Sequence, residues 1–206
     1  KNGGIPMYTL VPPQTDGFTS QTPEFANWNQ KQRNDKAKAL LAEAGYGKDK
    51  QLKLTFTLPT FSTDVKVATA MVGMWKSVLG AQVEIKQLEP KVFYALKDPG
   101  NISRGGWTAD YNEASTFLSY FDSSGMNYGG WHDERYDKML QDATYAANDA
   151  ERKALYQKAE QIFSDQMPAI PVYFYTRSVL KQTRVGGYSD HNASERRYTR
   201  DLYITK

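Results

Sequence analysis

The sequence predicts a mixed α/β domain. Two observations carry this prediction: apolar residues recur at helical spacing in several segments, and shorter stretches alternate between apolar and polar residues, as half-buried strands do. The clearest case runs from residue 52 to residue 88, where an alternating strand, a helical stripe and a second alternating strand follow one another. Strand, helix and strand within about forty residues predict a right-handed βαβ unit.

The first half of the chain begins irregularly and then becomes regular. Residues 1–28 are rich in Gly, Pro, Thr and Gln, a composition typical of irregular structure. A helix is expected from Asn29, with apolar Ala37, Leu40, Leu41 and Ala44 on one stripe and Gly45 as the C-terminal cap. The βαβ unit follows, with its elements over 52–58, 62–79 and 83–88.

The second half is expected to be richer in helix. Its predicted elements are a short helix over 90–96, a turn over 98–100, a short helix over 115–121, helices over about 133–147 and 149–166, a β-rich stretch over 169–180, a turn over 185–189 and a strand over 202–205. In the helix over 149–166, Leu155, Ala159, Ile162 and Phe163 form the predicted buried stripe. No internal repeat or low-complexity linker interrupts this order.

Composition excludes several function classes. The chain has 206 residues, 13% of them aromatic, and a net charge of +3 that comes from interspersed signs. That charge is too small to indicate binding to nucleic acid or to a membrane surface. The absence of cysteine excludes disulfides, thiolate chemistry and cysteine-bound metals. No run of apolar residues approaches the length of a membrane helix.

The sequence holds no recognisable catalytic motif. Walker A, H-E-x-x-H, G-x-S-x-G and Rossmann glycine patterns are all missing. His132 and His191, the only histidines, lie far apart in loop-like contexts and are expected at the surface. An Asp/Glu pair in a glycosidase-like cleft stays open as an alternative, because carboxylates are plentiful. We expect no catalytic residue, no metal and no cofactor.

The run RGGWTADYNEASTF, residues 104–117, combines charges, glycines and a tryptophan. In a regular strand Arg104 and Asp110 would share one face and Trp107 the other, whereas a bulge at the glycines would turn Trp107 and Asp110 toward the same space. A carboxylate beside an indole and an arginine is a receptor for an ammonium group. The alternative, which spacing alone favours, is an Arg104–Asp110 salt bridge at a sheet edge with Trp107 in the core.

Several longer segments resemble one known family. RGGWTADYNEASTFL, LLAEAGY at 40–46, LYQKAEQIFSDQMPAIPVYFY at 155–175, VGGY at 185–188 and the terminal DLYITK occur in this order. Together they resemble periplasmic oligopeptide-binding proteins, the substrate receptors of peptide ABC importers, a group that includes murein-peptide-binding relatives. The resemblance extends over essentially the whole chain.

The resemblance implies an α/β fold, the C-terminal lobe of a two-lobed periplasmic binding protein with a mixed sheet flanked by helices. Residues 1–197 are expected to form this second lobe, incomplete at its N-terminus, and residues 198–206 a terminal strand that returns to the missing first lobe. The chain is therefore expected to be a fragment. Its terminal strand, lacking its usual partners, is expected to be frayed or paired with another copy.

The resemblance also implies a binding site. In the family, the aspartate of the W-x-x-D-Y-N motif pairs with the free α-amino group of the peptide, and this role falls on Asp110. Trp107 lies beside it, and Arg104 is among the groups that face the ligand. Lys97 and Lys66 stand where the family has an arginine and a histidine that meet the peptide carboxylate, so the resemblance does not fix the preferred peptide length or the C-terminal contacts.

The function implied is non-catalytic capture of short peptides between two lobes for import. The expected partners are short peptides, including murein tripeptide, and an inner-membrane ABC permease, with no nucleic acid and no cofactor. The full-length receptor is expected to be periplasmic and monomeric. A receptor for murein-derived peptides is an open alternative within the family, and an extracytoplasmic peptide or glycan hydrolase is the alternative from another class. The isolated chain is expected to have no activity of its own.

Overall fold

The computed structural model describes residues 4–96, 100–176, 178–189 and 197–205. Within these ranges the helices are α1 (Gln30–Glu43), α2 (Ser62–Leu79), α3 (Pro90–Tyr94), α4 (Ser115–Leu118), α5 (Glu134–Thr144) and α6 (Asp149–Gln166). The strands are β1 (Ile5–Pro6), β2 (Lys53–Pro59), β3 (Gln82–Leu88), β4 (Ile102–Ser103), β5 (Tyr173–Phe174), β6 (Val185–Gly186) and β7 (Tyr203–Ile204). The predicted α/β class is confirmed.

The chain divides into two compact units, Glu24–Gly106 on the one hand and Lys1–Pro23 with Trp107–Lys206 on the other. The first, the sheet unit, contains a three-stranded sheet in the order β3-β2-β4. Both strand pairs are parallel, and α2 connects β2 to β3, so the predicted βαβ arrangement is present. Apolar residues of α2 pack on this sheet around three buried side chains, Phe56, Leu58 and Ala68.

Helix boundaries in the sheet unit follow local sequence signals. Asn29 begins α1 with a capping box: its Oδ1 accepts the Gln32 N–H at 2.9 Å, and the Gln32 Oε1 accepts the Asn29 N–H at 2.8 Å. Gly80 closes α2 in the left-handed conformation, at φ +67°. The apolar stripe expected on α1 is not buried, however. No residue of α1 is buried, and Leu40 is 50% exposed.

The second, the helical unit, is organised around α5 and α6. Its core joins these helices to α4 and to the N-terminal segment through Val11 and Phe18. Tyr136 is fully buried, and its hydroxyl donates a 2.7 Å hydrogen bond to the Leu118 carbonyl, which ties α5 to α4. In the predicted stripe of α6, Ala159 and Phe163 are buried, as expected from their spacing.

Strands in the helical unit are short and antiparallel. β1 pairs with β5, and β6 pairs with β7. The β-rich stretch predicted over 169–180 contains only β5, because the surrounding residues form no ladder among the described residues. The parallel and antiparallel pairings of the mixed α/β fold thus occur in separate sheets.

The expectation for the terminal strand is wrong. β7 is neither frayed nor left to another copy, because it pairs with β6 in the same chain, Val185 opposite Ile204 and Gly186 opposite Tyr203. The predicted turn over 185–189 therefore begins inside a strand. Close approach explains the pairing of two such short strands: a Cβ on Gly187 would lie 1.8 Å from the Asp201 carbonyl oxygen, so only glycine fits there.

Replacing Gly187 by alanine is expected to release β7 from β6. Gly187 has φ +77° and Gly45 has φ +81°, but a Cβ on Gly45 would meet nothing within 4 Å. Gly45→Ala therefore measures the cost of the left-handed backbone alone, and Gly187→Ala adds overpacking, about 1–3 kcal/mol. Urea unfolding of both variants gives the difference. Equal losses would contradict the β6–β7 contact.

Among the described residues, no helix has the length and apolarity needed to cross a membrane.

Candidate functional site

The run RGGWTAD, residues 104–110, is not a strand. β4 ends at Ser103, and the residues after it are irregular, so the alternation of faces expected for a regular strand does not apply. Arg104 falls in the sheet unit, whereas Trp107 and Asp110 fall in the helical unit.

Asp110 presents an exposed carboxylate. Its backbone N–H donates to Thr116 Oγ1 at 3.0 Å, and Thr116 is buried in α4, so the main chain at Asp110 is fixed to a rigid element. Within the described part of the chain, no cation lies within ion-pair distance of the Asp110 side chain. A fixed, exposed and unpaired carboxylate is suited to accept a charge-assisted hydrogen bond from a cationic ligand.

Trp107 is partly buried and packs against Tyr120, with ring centroids 5.5 Å apart. Its indole Nε1 is buried and has no hydrogen-bond acceptor among the described residues. An unsatisfied buried donor costs about 1–3 kcal/mol, so ring packing, rather than a hydrogen bond, holds Trp107 in place. The core position that the alternative interpretation gave to Trp107 is only partly realised.

Arg104 is fixed by a partner that the sequence interpretation did not consider. Its Nε lies 3.0 Å from Asp64 Oδ2, and the two side chains are 22% and 8% exposed. The contact is an ion pair by distance, but Oδ2 accepts no well-directed hydrogen bond. The backbone N–H of Arg104 donates to the Thr57 carbonyl at 3.1 Å. Asp64 lies in the first turn of α2, where its negative charge also interacts favourably with the helix dipole.

The backbone at Gly106 packs against the Arg104 side chain. A Cβ at this position would lie 3.0–3.2 Å from three guanidinium atoms of Arg104. The second glycine of the RGGW run therefore allows the guanidinium to pack on the backbone, which is a steric reason for its presence.

Of the two lysines of the predicted site, only Lys66 lies within the described residues. Lys66 is exposed on α2, two residues after Asp64. Lys97 lies outside the described residues, as do His191 and the first two residues of the turn predicted over 98–100. Of the five predicted site residues, the structure therefore places Trp107 and Asp110 in one unit and Arg104 and Lys66 in the other.

The loop over 122–130 lies next to Tyr120. Its Asn127 N–H donates to the Tyr120 carbonyl at 2.8 Å, with Asn127 at φ +23°. A Cβ on Gly125 would lie 2.3 Å from the Ser119 carbonyl oxygen. Glycine is therefore required for the loop to pack against the 3-10 turn Ser119–Phe121. The glycine-rich run SSGMNYGG predicts a loop over 123–130, and the structure confirms it. Nothing in the run predicts that the loop packs against Ser119.

Gly125→Ala is expected to destabilise the protein by about 1–3 kcal/mol, because the added methyl group meets backbone that cannot rotate away. Gly129, in the same loop, is the matched control: a Cβ there would meet nothing within 4 Å. Gly129→Ala is therefore expected to be nearly neutral. Chemical denaturation of the two variants tests this difference, and a neutral Gly125→Ala would show that the loop does not pack as described.

Ser123, His132 and Asp137 approach one another at the base of this loop. Ser123 Oγ contacts both His132 Nδ1 and Asp137 Oδ2, and the same Nδ1 lies 3.4 Å from Asp137 Oδ2. A catalytic triad instead uses the two imidazole nitrogens separately, one for the nucleophile and one for the carboxylate. The three side chains are therefore a loop-to-helix contact. His132 is exposed, as expected.

A polar cavity of about 460 Å³ lies elsewhere in the helical unit, between α4, α5 and α6. Tyr111, Glu113, Arg152 and Tyr156 are among its lining residues, whereas Trp107 and Asp110 are not. Among the described residues, no group of three or more His, Asp or Glu side chains is placed to hold a metal ion.

Comparisons with known proteins agree on one family. A model described as bacterial extracellular solute-binding proteins, family 5 Middle, matches residues 1–129. The periplasmic oligopeptide-binding protein OppA of Escherichia coli (strain K12) is 37% identical over 99% of this chain and 38% of its own length. A probable deoxycholate-binding periplasmic protein of the same strain, YgiS, is 37% identical over 97% of this chain and 38% of its own length.

Structure comparison gives the same result. The murein tripeptide binding protein MppA of Escherichia coli superimposes with a TM-score of 0.88 and 36% identity, over 99% of this chain and 41% of that protein. The chain thus spans about two fifths of the length of these relatives. All three relatives are binding proteins and not enzymes, in agreement with the expected lack of catalysis.

Proposed function

Because the chain belongs to family 5 of the bacterial extracellular solute-binding proteins, we propose that it is part of a receptor that captures short peptides for an ABC importer. The observation that carries the proposal is Asp110: an exposed carboxylate, fixed through Thr116 and without an ion-pair partner among the described residues. The peptide α-ammonium group supplies the missing cation. Trp107, three residues earlier, supplies an aromatic face that shields the pair from water.

The basic residues take the other polar groups of the peptide. Arg104 faces the ligand while Asp64 balances its charge, and Lys66 and Lys97 meet the terminal carboxylate. Lysine in place of the family's arginine and histidine carries a compact charge on a flexible stem, so the contact tolerates more than one carboxylate position. This tolerance predicts a relaxed preference for peptide length.

The proposed receptor contains more residues than this chain. Residues 1–197 belong to its second lobe, 198–206 form the segment that leads to the first lobe, and the peptide is enclosed between the lobes. A peptide held largely through its main chain is bound with little regard to its side chains. The receptor acts in the periplasm as a monomer and delivers its peptide to an inner-membrane permease. Murein tripeptide is a second candidate ligand, supported by the likeness to MppA.

Deoxycholate is the competing ligand class, because one relative of equal identity is a probable deoxycholate-binding protein. The test is incubation of the full-length receptor with Ala-Ala-Ala, murein tripeptide or deoxycholate, followed by calorimetry and by mass spectrometry of the recovered ligand. Tight binding of either peptide, recovered intact, supports the proposal. Cleaved peptide would indicate the hydrolase alternative, and binding of deoxycholate alone would overturn peptide capture.

A further inference from the structure

We propose that Trp107, Tyr120 and Tyr128, here called the aromatic strip, receive the side chain of the ligand's first residue and favour an aromatic or aliphatic one there. The inference rests on the proposed function, since Asp110 must hold the α-ammonium group for the first side chain to fall near Trp107. It adds a preference that main-chain recognition alone does not provide.

The strip is continuous and lies within one unit. The ring centroids of Trp107 and Tyr120 are 5.5 Å apart at 58°, and those of Tyr120 and Tyr128 are 6.1 Å apart at 70°. These separations are typical of favourable tilted and edge-to-face aromatic pairs. Three rings in sequence therefore form one extended apolar surface.

The strip is anchored in the core. Tyr120 also packs edge-on against Phe121 at 4.9 Å, and Phe121 contacts the buried Phe163 of α6 at 4.8 Å. The 2.8 Å hydrogen bond from the Asn127 N–H to the Tyr120 carbonyl fixes the loop that carries Tyr128. A surface held in this way is ordered before the ligand arrives, so little conformational entropy is lost on binding.

The outer end of the strip is open. Tyr128 is 45% exposed and the neighbouring Met126 is 51% exposed. The loop SSGMNYGG, residues 123–130, contains no charged residue. Asp122 and Asp137, the acids at its base, accept hydrogen bonds from Ser124 and Ser123. An exposed, uncharged aromatic surface with an adaptable methionine fits an apolar side chain better than a charged one.

The strip and the proposed ammonium site share a support. The Asp110 N–H is bonded to Thr116 in α4, and Tyr120 lies four residues after Thr116 in the 3-10 turn that continues α4. Residues four apart occupy neighbouring positions on one helical face. The element that positions Asp110 therefore also positions the strip.

The test uses the full-length receptor and tripeptides that move one phenylalanine: Phe-Ala-Ala, Ala-Phe-Ala and Ala-Ala-Phe, with Ala-Ala-Ala and Lys-Ala-Ala for comparison. We expect Phe-Ala-Ala to bind about ten- to a hundredfold more tightly than Ala-Ala-Ala, the range for burying a large apolar side chain. A similar gain for phenylalanine at the other two positions, or tighter binding of Lys-Ala-Ala, would overturn the proposal.

Variants assign the preference to the strip. Tyr128→Ala is expected to reduce the ratio of Phe-Ala-Ala to Ala-Ala-Ala affinity by at least about fivefold, whereas Tyr128→Phe keeps it. Tyr145, 82% exposed on the same unit, is the matched control, and Tyr145→Ala is expected to keep the wild-type ratio. An unchanged ratio in Tyr128→Ala would refute the role of the strip.

The failure of this inference differs from the failure of the proposed function. If Ala-Ala-Ala binds through its free amino group but phenylalanine gives no gain, peptide capture stands and the strip has no role. If no tripeptide binds, both fail together.

Discussion

Replacing Asp110 by asparagine in the full-length receptor is expected to weaken binding of free tripeptides by well over tenfold. The substitution keeps the size of the side chain and removes its charge. A peptide ammonium group enclosed with a neutral amide loses its counter-ion while it remains removed from water. Removing one charge of a buried ion pair costs about 3–5 kcal/mol, because the remaining charge stays buried and uncompensated.

The effect depends on enclosure, which in the proposed receptor comes from hinge closure against the first lobe. Asp110 is exposed in this chain, so under the proposed function its carboxylate leaves water only when the ligand and the first lobe cover it. Asp142→Asn is the matched control, since Asp142 is an acid of the same unit that pairs with Lys138 on α5. Isothermal titration calorimetry with Ala-Ala-Ala measures both variants. An affinity unchanged by Asp110→Asn would remove Asp110 from the site.

Replacing Glu160 by alanine is expected to destabilise the helical unit, because a buried hydrogen-bond acceptor of its core is lost. Glu160, on α6, is 3% exposed, and its Oε1 accepts the Val11 N–H at 2.9 Å and the Ser20 hydroxyl at 3.0 Å. Alanine leaves the buried Val11 N–H without this acceptor, which costs about 1–3 kcal/mol, whereas the Ser20 hydroxyl keeps the Val11 carbonyl as an acceptor at 3.1 Å. Gln161→Ala, at the exposed neighbouring position, is the control and is expected to be nearly neutral.

Glu160 also predicts how stability changes with pH. Burial raises the pKa of the Glu160 carboxyl above its ordinary 4.5, and the hydrogen bonds from Val11 and Ser20 offset this only in part. The folded state therefore binds the proton more tightly than the unfolded state does. The contribution of Glu160 to stability is fully present below pH 4.5 and is lost as the pH rises through the folded-state pKa.

Glu160→Gln separates the hydrogen bonds from the charge. The glutamine amide oxygen can still accept both hydrogen bonds, but the side chain does not titrate. As the pH rises above 4.5, the wild type is expected to lose stability through Glu160 and the variant is not. The free energy of unfolding of the variant, relative to that of the wild type, is therefore expected to increase with pH. Urea unfolding at a series of pH values measures both. Parallel pH profiles would contradict a titrating Glu160.

Local signals in the sequence were sufficient for the helices and for the central strands. The alternation over 52–58 and the glycine at 80 depend on neighbouring residues only, and the structure places β2 and the end of α2 accordingly. The Asn29 cap is of the same kind. Such features are encoded within a few residues, so periodicity and capping predict them.

Pairing between distant residues could not be predicted in the same way. Nothing near Arg104 indicates that its partner is Asp64, forty positions earlier, because only the parallel β2–β4 pairing brings them together. Likewise, β6 and β7 are too short for their alternation to identify a partner. The exposed Leu40 shows the reverse case: periodicity predicts an apolar stripe on α1, but no residue of α1 is buried.

The sequence predicts only part of the proposed site. Trp107 and Asp110 stood out because they occur within one short motif, and family resemblance supplied the role proposed for Asp110. Tyr120 and Tyr128 lie outside the motif. Tyr120 contacts Trp107 from the turn that follows α4, and Tyr128 contacts Tyr120 from the loop that packs closely at Gly125. Composition showed an excess of aromatic residues without showing which of them line a site.

The proposed role of Asp110 is tested by calorimetric titration of the full-length receptor with one tripeptide in two forms, free and N-acetylated. The two ligands differ only in the charge and donors of the amino terminus. We expect only the free form to bind tightly, because the proposed contact with Asp110 needs the ammonium group. Equal binding of the two forms would show that the ligand is anchored elsewhere.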